Sequence, residues 1–458
     1  MERPADRCSV LPSVLAFSCS FGPREIPLVS VHGGLPSPMN ILAIISVLVT
    51  TAALFGWLSS RILRIPLTIG TMLLTVLTTI SVATLGRFAP AVQAWTEHLA
   101  RSIDFQSLIM HGMLPLLLFA GAFLLDLDHL WRERLPVAVL SVVGTVLSFL
   151  AVAALMKLFS GTGASWVECL IFGALISPTD PIAVLELLRR IGIPKSIEAQ
   201  LAGESLFNDG IGAVLFLTMI EIAQGHAPTP WHVVGTLLLK AGGAVALAIA
   251  GARIVSRLMC MVNAYQIDIL LTLALALGGY ALADSWGLSA PLEAVVAGIA
   301  LRHYNRKQPK GRIADDLVDQ FWTMLDEVQN LLLFVLLGLE AMVVTLNATT
   351  IRAGLVAIFS VNTVRLAVVA LCLGIVHLWQ KQRLRSIATL TWGGLRGGLS
   401  IALALSIPAT LGGARIWMFG TTYLIVVFSI LVQGGSLQWV LTRTRRAADR
   451  PVVAEPHP

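Results

Sequence analysis

Three short runs place ionisable side chains inside strongly apolar sequence. The first is Ser177, Pro178, Thr179, Asp180, Pro181; the second is Glu204, Ser205, Leu206, Phe207, Asn208, Asp209, Gly210. The third, Thr391 to Ser400, brackets Arg396 with Gly393, Gly394, Gly397 and Gly398. A fourth charge, Arg365, stands alone in an apolar run. A charge at the centre of a bilayer costs at least about 2.5 to 3.5 kcal/mol on insertion scales, so those that persist usually face a bundle interior and serve a function. On a helix, Ser205 and Asp209 share one face, as do Glu204 and Asn208, which makes two adjacent stripes of oxygen-bearing side chains. Oxygen ligands of this kind suit a hard ion, and carboxylates also bind protons. A plain helix-packing role for Glu204 and Asn208 remains open at this point.

Two prolines within four residues cannot both continue an undisturbed helix. Each lacks an N–H and clashes with the preceding turn, so the carbonyls of Ala174 and Ser177 should lose their intrahelical donors. Freed carbonyls at mid-membrane are tolerated beside protein or a wet cavity, where they can coordinate a cation. A simple kink would explain the prolines but not an aspartate at its apex. The glycines around Arg396 favour close backbone approach or local unwinding.

The elements that must position these residues are membrane spans. The chain has 458 residues, 56% hydrophobic and 13% charged, and a mean hydropathy of +0.82, far too apolar for a soluble domain of this size. Runs of about 20 apolar residues are expected at 40–60, 66–85, 105–127, 135–159, 166–190, 198–223, 231–258, 266–284, 289–302, 319–344, 350–378, 384–409 and 414–442, an all-α polytopic fold of thirteen spans. No room remains for a separate soluble domain. Residues 1–38 read as a disordered extension or a misassigned start before Met39, and 444–458 as a short tail. Cys8, Cys19, Cys169, Cys260 and Cys372 are too far apart for a zinc site or a disulfide framework and read as packing residues.

The net charge of +6 is not that of a nucleic-acid binder, because the basic residues sort by loop. With alternating spans, twenty-one fall on the side of the C-terminus and at most eight on the other, leaving Lys240, Arg365 and Arg396 inside spans. The positive-inside rule makes the C-terminal side cytoplasmic. Glu186, Glu293, Asp326, Glu327 and Glu340 also fall within spans; most lie nearer a helix end, where snorkelling or a loop position is expected. His226 and His377, near span ends, are weak candidates for pH sensing. The interrupted spans, 5 and 12, are seven apart. That offset fits two inverted six-span repeats, 1–6 and 8–13, joined by span 7, with the interruptions at corresponding positions around a midplane site.

ISPTDPIAVL at 176–185, GESLFNDG at 203–210 and WGGLRGGLSIALALS at 392–406 together resemble the NhaP-type branch of the monovalent cation/proton antiporters, the group that includes the eukaryotic sodium/proton exchangers. The resemblance spans roughly residues 40–440. It implies that Asp209 is the main cation and proton carrier with Asn208 as neighbour, and that Thr179, Asp180 and Ser205 complete the site. It further implies that Glu204 pairs with Arg365 and that Arg396 offsets exposed carbonyl ends. The implied fold, within 39–443, is a homodimer in which a core bundle (spans 4–6 and 11–13) moves against an interface bundle (spans 1–3 and 8–10). The implied partners are Na+, or Li+ or K+, and H+, in the inner membrane, with no cofactor.

Asp180, Glu204 and Asp209 against Arg365 and Arg396 leave a remainder of one negative charge. One Na+ or one H+ neutralises it, so one-for-one, electrically silent exchange is expected. A K+/H+ antiporter is the alternative. A cation channel would use the same ligands but would want a continuous pore rather than buried arginines. The absence of H-E-x-x-H and Gly-x-Ser-x-Gly patterns leaves a membrane hydrolase with little support.

Overall fold

The computed structural model describes residues 41–85, 103–181, 194–225, 230–262, 264–306, 312–340, 347–379 and 386–440, with positions 184, 185, 188 and 344. The expectations for residues 1–38 and 444–458, for Glu186 and His226, and for the side chain of His377 lie outside the described residues.

An apolar chain that must satisfy its backbone without water forms helices. Among the described residues, nine are long and apolar enough to cross a membrane. Helices α1 (Ile41–Leu58), α2 (Leu67–Leu85), α3 (Phe105–Phe123), α4 (Arg134–Phe159) and α5 (Trp166–Ile176) are followed by α6 (Lys195–Ala223), α7 (Pro230–Met261), α8 (Tyr265–Ser285) and α9 (Ala290–Arg306). Then come α10 (Arg312–Leu339), α11 (Ala348–Trp379), the short pair α12 (Ser386–Gly393) and α13 (Gly398–Leu405), and α14 (Gly413–Val440). The fold is all-helical as expected; span 5 is helix over its first half, to Ile176, and span 12 is the pair α12 and α13.

Local sequence explains the ends that matter. Ser165 and Glu168 form a capping box at the start of α5, with Glu168 N–H donating to Ser165 Oγ at 3.2 Å and Ser165 N–H to Glu168 Oε2 at 3.0 Å. Helix α9 runs past its apolar stretch because its last turn is held by ion pairs: Arg302 to Asp319 of α10 at 2.6 Å, and Arg306 to both carboxylate oxygens of Asp128 at 3.0 and 2.8 Å. The exposed Asp128 carboxyl is held below its usual range chiefly by that Arg306 hydrogen bond.

Helices α4, α5, α6, α11, α13 and α14 pack on one another; α3, α7, α8 and α9 form a second neighbourhood, and α1 and α2 lie against α10. The second neighbourhood is centred on Trp322 of α10, fully buried, whose ring centroid is 4.8 Å from that of Phe119 and whose Nε1–H donates to Thr272 at 3.0 Å. Helix α6 touches both neighbourhoods, meeting α5 on one side and α9 on the other.

Two expectations from position along a span are corrected. Glu293 and Glu340 do not snorkel: they are 0% and 2% exposed. Distance from a helix end does not measure depth within a bundle, and Glu293 is accommodated because its carboxyl carbon lies where Gly279 of α8 has no side chain, 2.8 Å from where a Cβ would stand. Lys240, unexplained by sequence, pairs with Glu221 at 2.9 Å. Glu327 is exposed and Asp326 half-buried. Cys169 and Cys372 are buried, and Cys260 is exposed.

Candidate functional site

The site is assembled where two helices fail. Helix α5 stops at Ile176 because Pro178 and Pro181 have no N–H to offer. The Ala174 carbonyl is taken by the Ser177 hydroxyl at 3.0 Å. The Ser177 and Pro178 carbonyls both accept from Arg396 Nη1, at 2.6 and 2.7 Å. The expectation that the Ala174 and Ser177 carbonyls would be open to a cation is therefore corrected: a serine and a guanidinium occupy them, and a cation would be repelled by the latter.

The second break separates α12 from α13 at Gly394–Gly397. The two interruptions cross there, with Asp180 N–H donating to the Leu395 carbonyl at 2.8 Å, and this bridge is the only β-type pairing among the described residues. Gly397 lies directly under the Asp180 carboxylate, and a Cβ at that position would overlap it. On the other side, the Pro178 ring rests on Gly212 of α6, its Cδ 2.9 Å from where a Cβ would stand. Bare backbone at both positions lets three chain segments converge.

Helix α6 supplies the remaining groups. The Asn208 amide clamps Thr179 from both ends, donating from Nδ2 to Thr179 Oγ1 at 2.7 Å and accepting the Thr179 N–H at 3.2 Å. The Ser205 hydroxyl donates to the Thr179 carbonyl. Ser205, Thr179 and Asn208 are thus brought together as expected, and each hydroxyl oxygen keeps a lone pair beyond the bond named. These three residues are buried, whereas Asp180 and Asp209 each retain partial exposure. The fields acting on Asp209 come from Asp180, repelling its charge, and from Arg396, attracting it.

Glu204, one face away, does not join them. Its two oxygens receive Nη1 and Nη2 of Arg365 from α11, the latter at 2.9 Å, and Nη2 also donates to the Leu390 carbonyl of α12 at 2.9 Å. Both side chains are buried. A bidentate pair cancels its own charge locally, which leaves Asp180, Asp209 and Arg396 with a remainder of one negative charge.

Sequence reasoning missed the groups that hold the second break. Arg396 N–H donates to Ser429 Oγ at 2.9 Å, and Ser429 in turn donates to Gln433 Oε1 at 2.7 Å. The signal available was a serine and a glutamine one turn apart in an otherwise apolar span.

Crossed, interrupted helices beside paired carboxylates, in a bundle of apolar helices, are the architecture of a secondary ion transporter. The chain belongs to the sodium/hydrogen exchanger family: the model for "Sodium/hydrogen exchanger, transmembrane" matches residues 48–443. It is 36% identical over 410 residues to the Na(+)/H(+) antiporter NhaP of Pseudomonas aeruginosa, covering 87% of this chain and 95% of that protein. To the Na(+)/H(+) antiporter NhaH of Halobacillus dabanensis it is 30% identical, covering 76% of this chain and 86% of that one. Its fold matches the sodium proton antiporter MjNhaP1 of Methanocaldococcus jannaschii with a TM-score of 0.70, at 18% identity, over 89% of this chain and 99% of the other. The protein is a multi-pass membrane protein of a transporter family.

Proposed function

We propose that this protein exchanges Na+ for H+ across the inner membrane, one for one, by alternating access. The observation that carries the reading is the pair of partly buried carboxylates, Asp180 and Asp209, beside Arg396 at the crossing of two broken helices. Either a proton or a cation neutralises the single uncompensated charge. Moving a neutralised site past lipid costs far less than moving a bare one, and this difference couples the two ions.

In this reading Asp209 is the carrier, and Asp180, Thr179 and Ser205 offer further oxygens to the transported Na+. Asn208 fixes Thr179, and Glu204, Arg365 and Arg396 compensate charge. The names borne by the relatives support Na+ as the cation, and no observation favours the K+/H+ or channel alternatives. The domain 39–443 works as a homodimer, with the group containing α4–α6 and α11–α14 moving against α1–α3 and α8–α10, and the C-terminus in the cytoplasm.

The test is Na+-driven proton flux in proteoliposomes. Asp209→Asn and Asp180→Asn should each abolish it, and the wild-type rate should be indifferent to an imposed membrane potential. Full exchange by either variant rejects the site, and a potential-dependent rate rejects the stoichiometry.

A further inference from the structure

A helix break orphans amides as well as carbonyls. The Arg396 N–H lies between α12 and α13 and, among the described residues, donates to Ser429 Oγ. Because that amide can only donate, Ser429 must accept, and its own O–H must point onward, to Gln433 Oε1 at 2.7 Å. The Gln433 amide is then fixed in orientation: its Nε2 donates to Asn362 Oδ1 at 2.5 Å, and Asn362 Nδ2 donates to the Ile358 carbonyl at 2.8 Å. Each link has one donor and one acceptor, and the polarity of the whole chain follows from the broken helix. Reversing the Gln433 amide would set donor against Ser429 O–H and acceptor against acceptor at Asn362.

The relay is buried at its centre, with Ser429 at 0% and Gln433 at 4% exposure. It occupies the π-helical turn Ser429–Gly434 within α14, a type of local widening that recurs at functional sites. It reaches α11 at Asn362, three residues before Arg365, the partner of Glu204. Both arginines of the site are therefore referenced to one helix: Arg365 directly, and Arg396 through Gln433.

We propose that Gln433, acting through Ser429, is a positioning residue for ion exchange: it sets the backbone orientation of Arg396 and so the field at Asp209. The inference rests on the exchange reading above. With its backbone in this orientation, Arg396 Nη1 donates to the Ser177 and Pro178 carbonyls, and the same guanidinium is a positive charge acting on Asp209. Loosening the relay lets that charge wander, which weakens its opposition to the carboxylate and shifts the balance between proton and cation.

The test compares wild type with Gln433→Met, Ser429→Ala and Ser429→Thr, each reconstituted from monodisperse protein. Losing one hydrogen bond of this kind is expected to change the apparent Na+ KM by about two- to tenfold and to displace the pH profile. Ser429→Thr, which keeps the hydroxyl, should restore both. Na+-induced stabilisation of the purified protein against heat reads the same site without transport, and should weaken in Gln433→Met and Ser429→Ala. Variants that lose melting temperature but keep the wild-type KM, pH profile and Na+ stabilisation overturn the proposal. Absence of proton flux in wild type with Na+ stabilisation still altered by the variants would count against the exchange reading and in favour of the relay.

Discussion

Glu204 and Arg365 show how a buried charge becomes structural. Each is nearly inaccessible, and the two meet through paired hydrogen bonds, so removing one partner strands the other in a medium that solvates it poorly. Glu204→Gln or Arg365→Met should therefore destabilise the protein by about 3–5 kcal/mol, whereas the double substitution should be less harmful than either alone. Thermal unfolding in detergent measures this, and single variants as stable as wild type would contradict it. These residues were legible in the sequence because a charge in an apolar run is costly and conspicuous. Ser429 and Gln433 were not, since neutral polar side chains are common in spanning helices and nothing local marks their partners.

Among the elements, the two broken helices matter most, and they were legible to different degrees. The breaks themselves are written in Pro178, Pro181 and the glycines around Arg396. Their mutual register, with Asp180 bonded to Leu395, is a long-range pairing with no local signature. Nor did the prolines disclose that the Ser177 carbonyl, and the Pro178 carbonyl beside it, would be claimed by Arg396. The crossing depends on Gly397, where any side chain would displace the Asp180 carboxylate. Gly397→Ala should consequently lose Na+-dependent proton flux while remaining folded, and Gly278→Ala, whose Cβ would meet nothing within 4 Å, should behave as wild type. Equal activity of the two variants in reconstituted vesicles would show that the close approach at the crossing is dispensable.

Taken as a whole molecule, the protein devotes most of its described residues to apolar helices, which composition alone made evident. The placement of Glu293 and Glu340 was not evident, because linear position along a helix says little about which neighbours close over it. The consequence of the charge inventory at the crossing is a site holding one carboxylate more than Arg365 and Arg396 offset, with Asp180 and Asp209 its two carboxylates that retain partial exposure. Two positive species should then compete for one vacancy in charge. The most direct test is proton release on ligand binding: adding Na+ to purified protein in weakly buffered detergent solution should liberate one proton per protomer, and none from Asp209→Asn. Na+ binding without proton release, or undiminished release from the variant, would contradict the account.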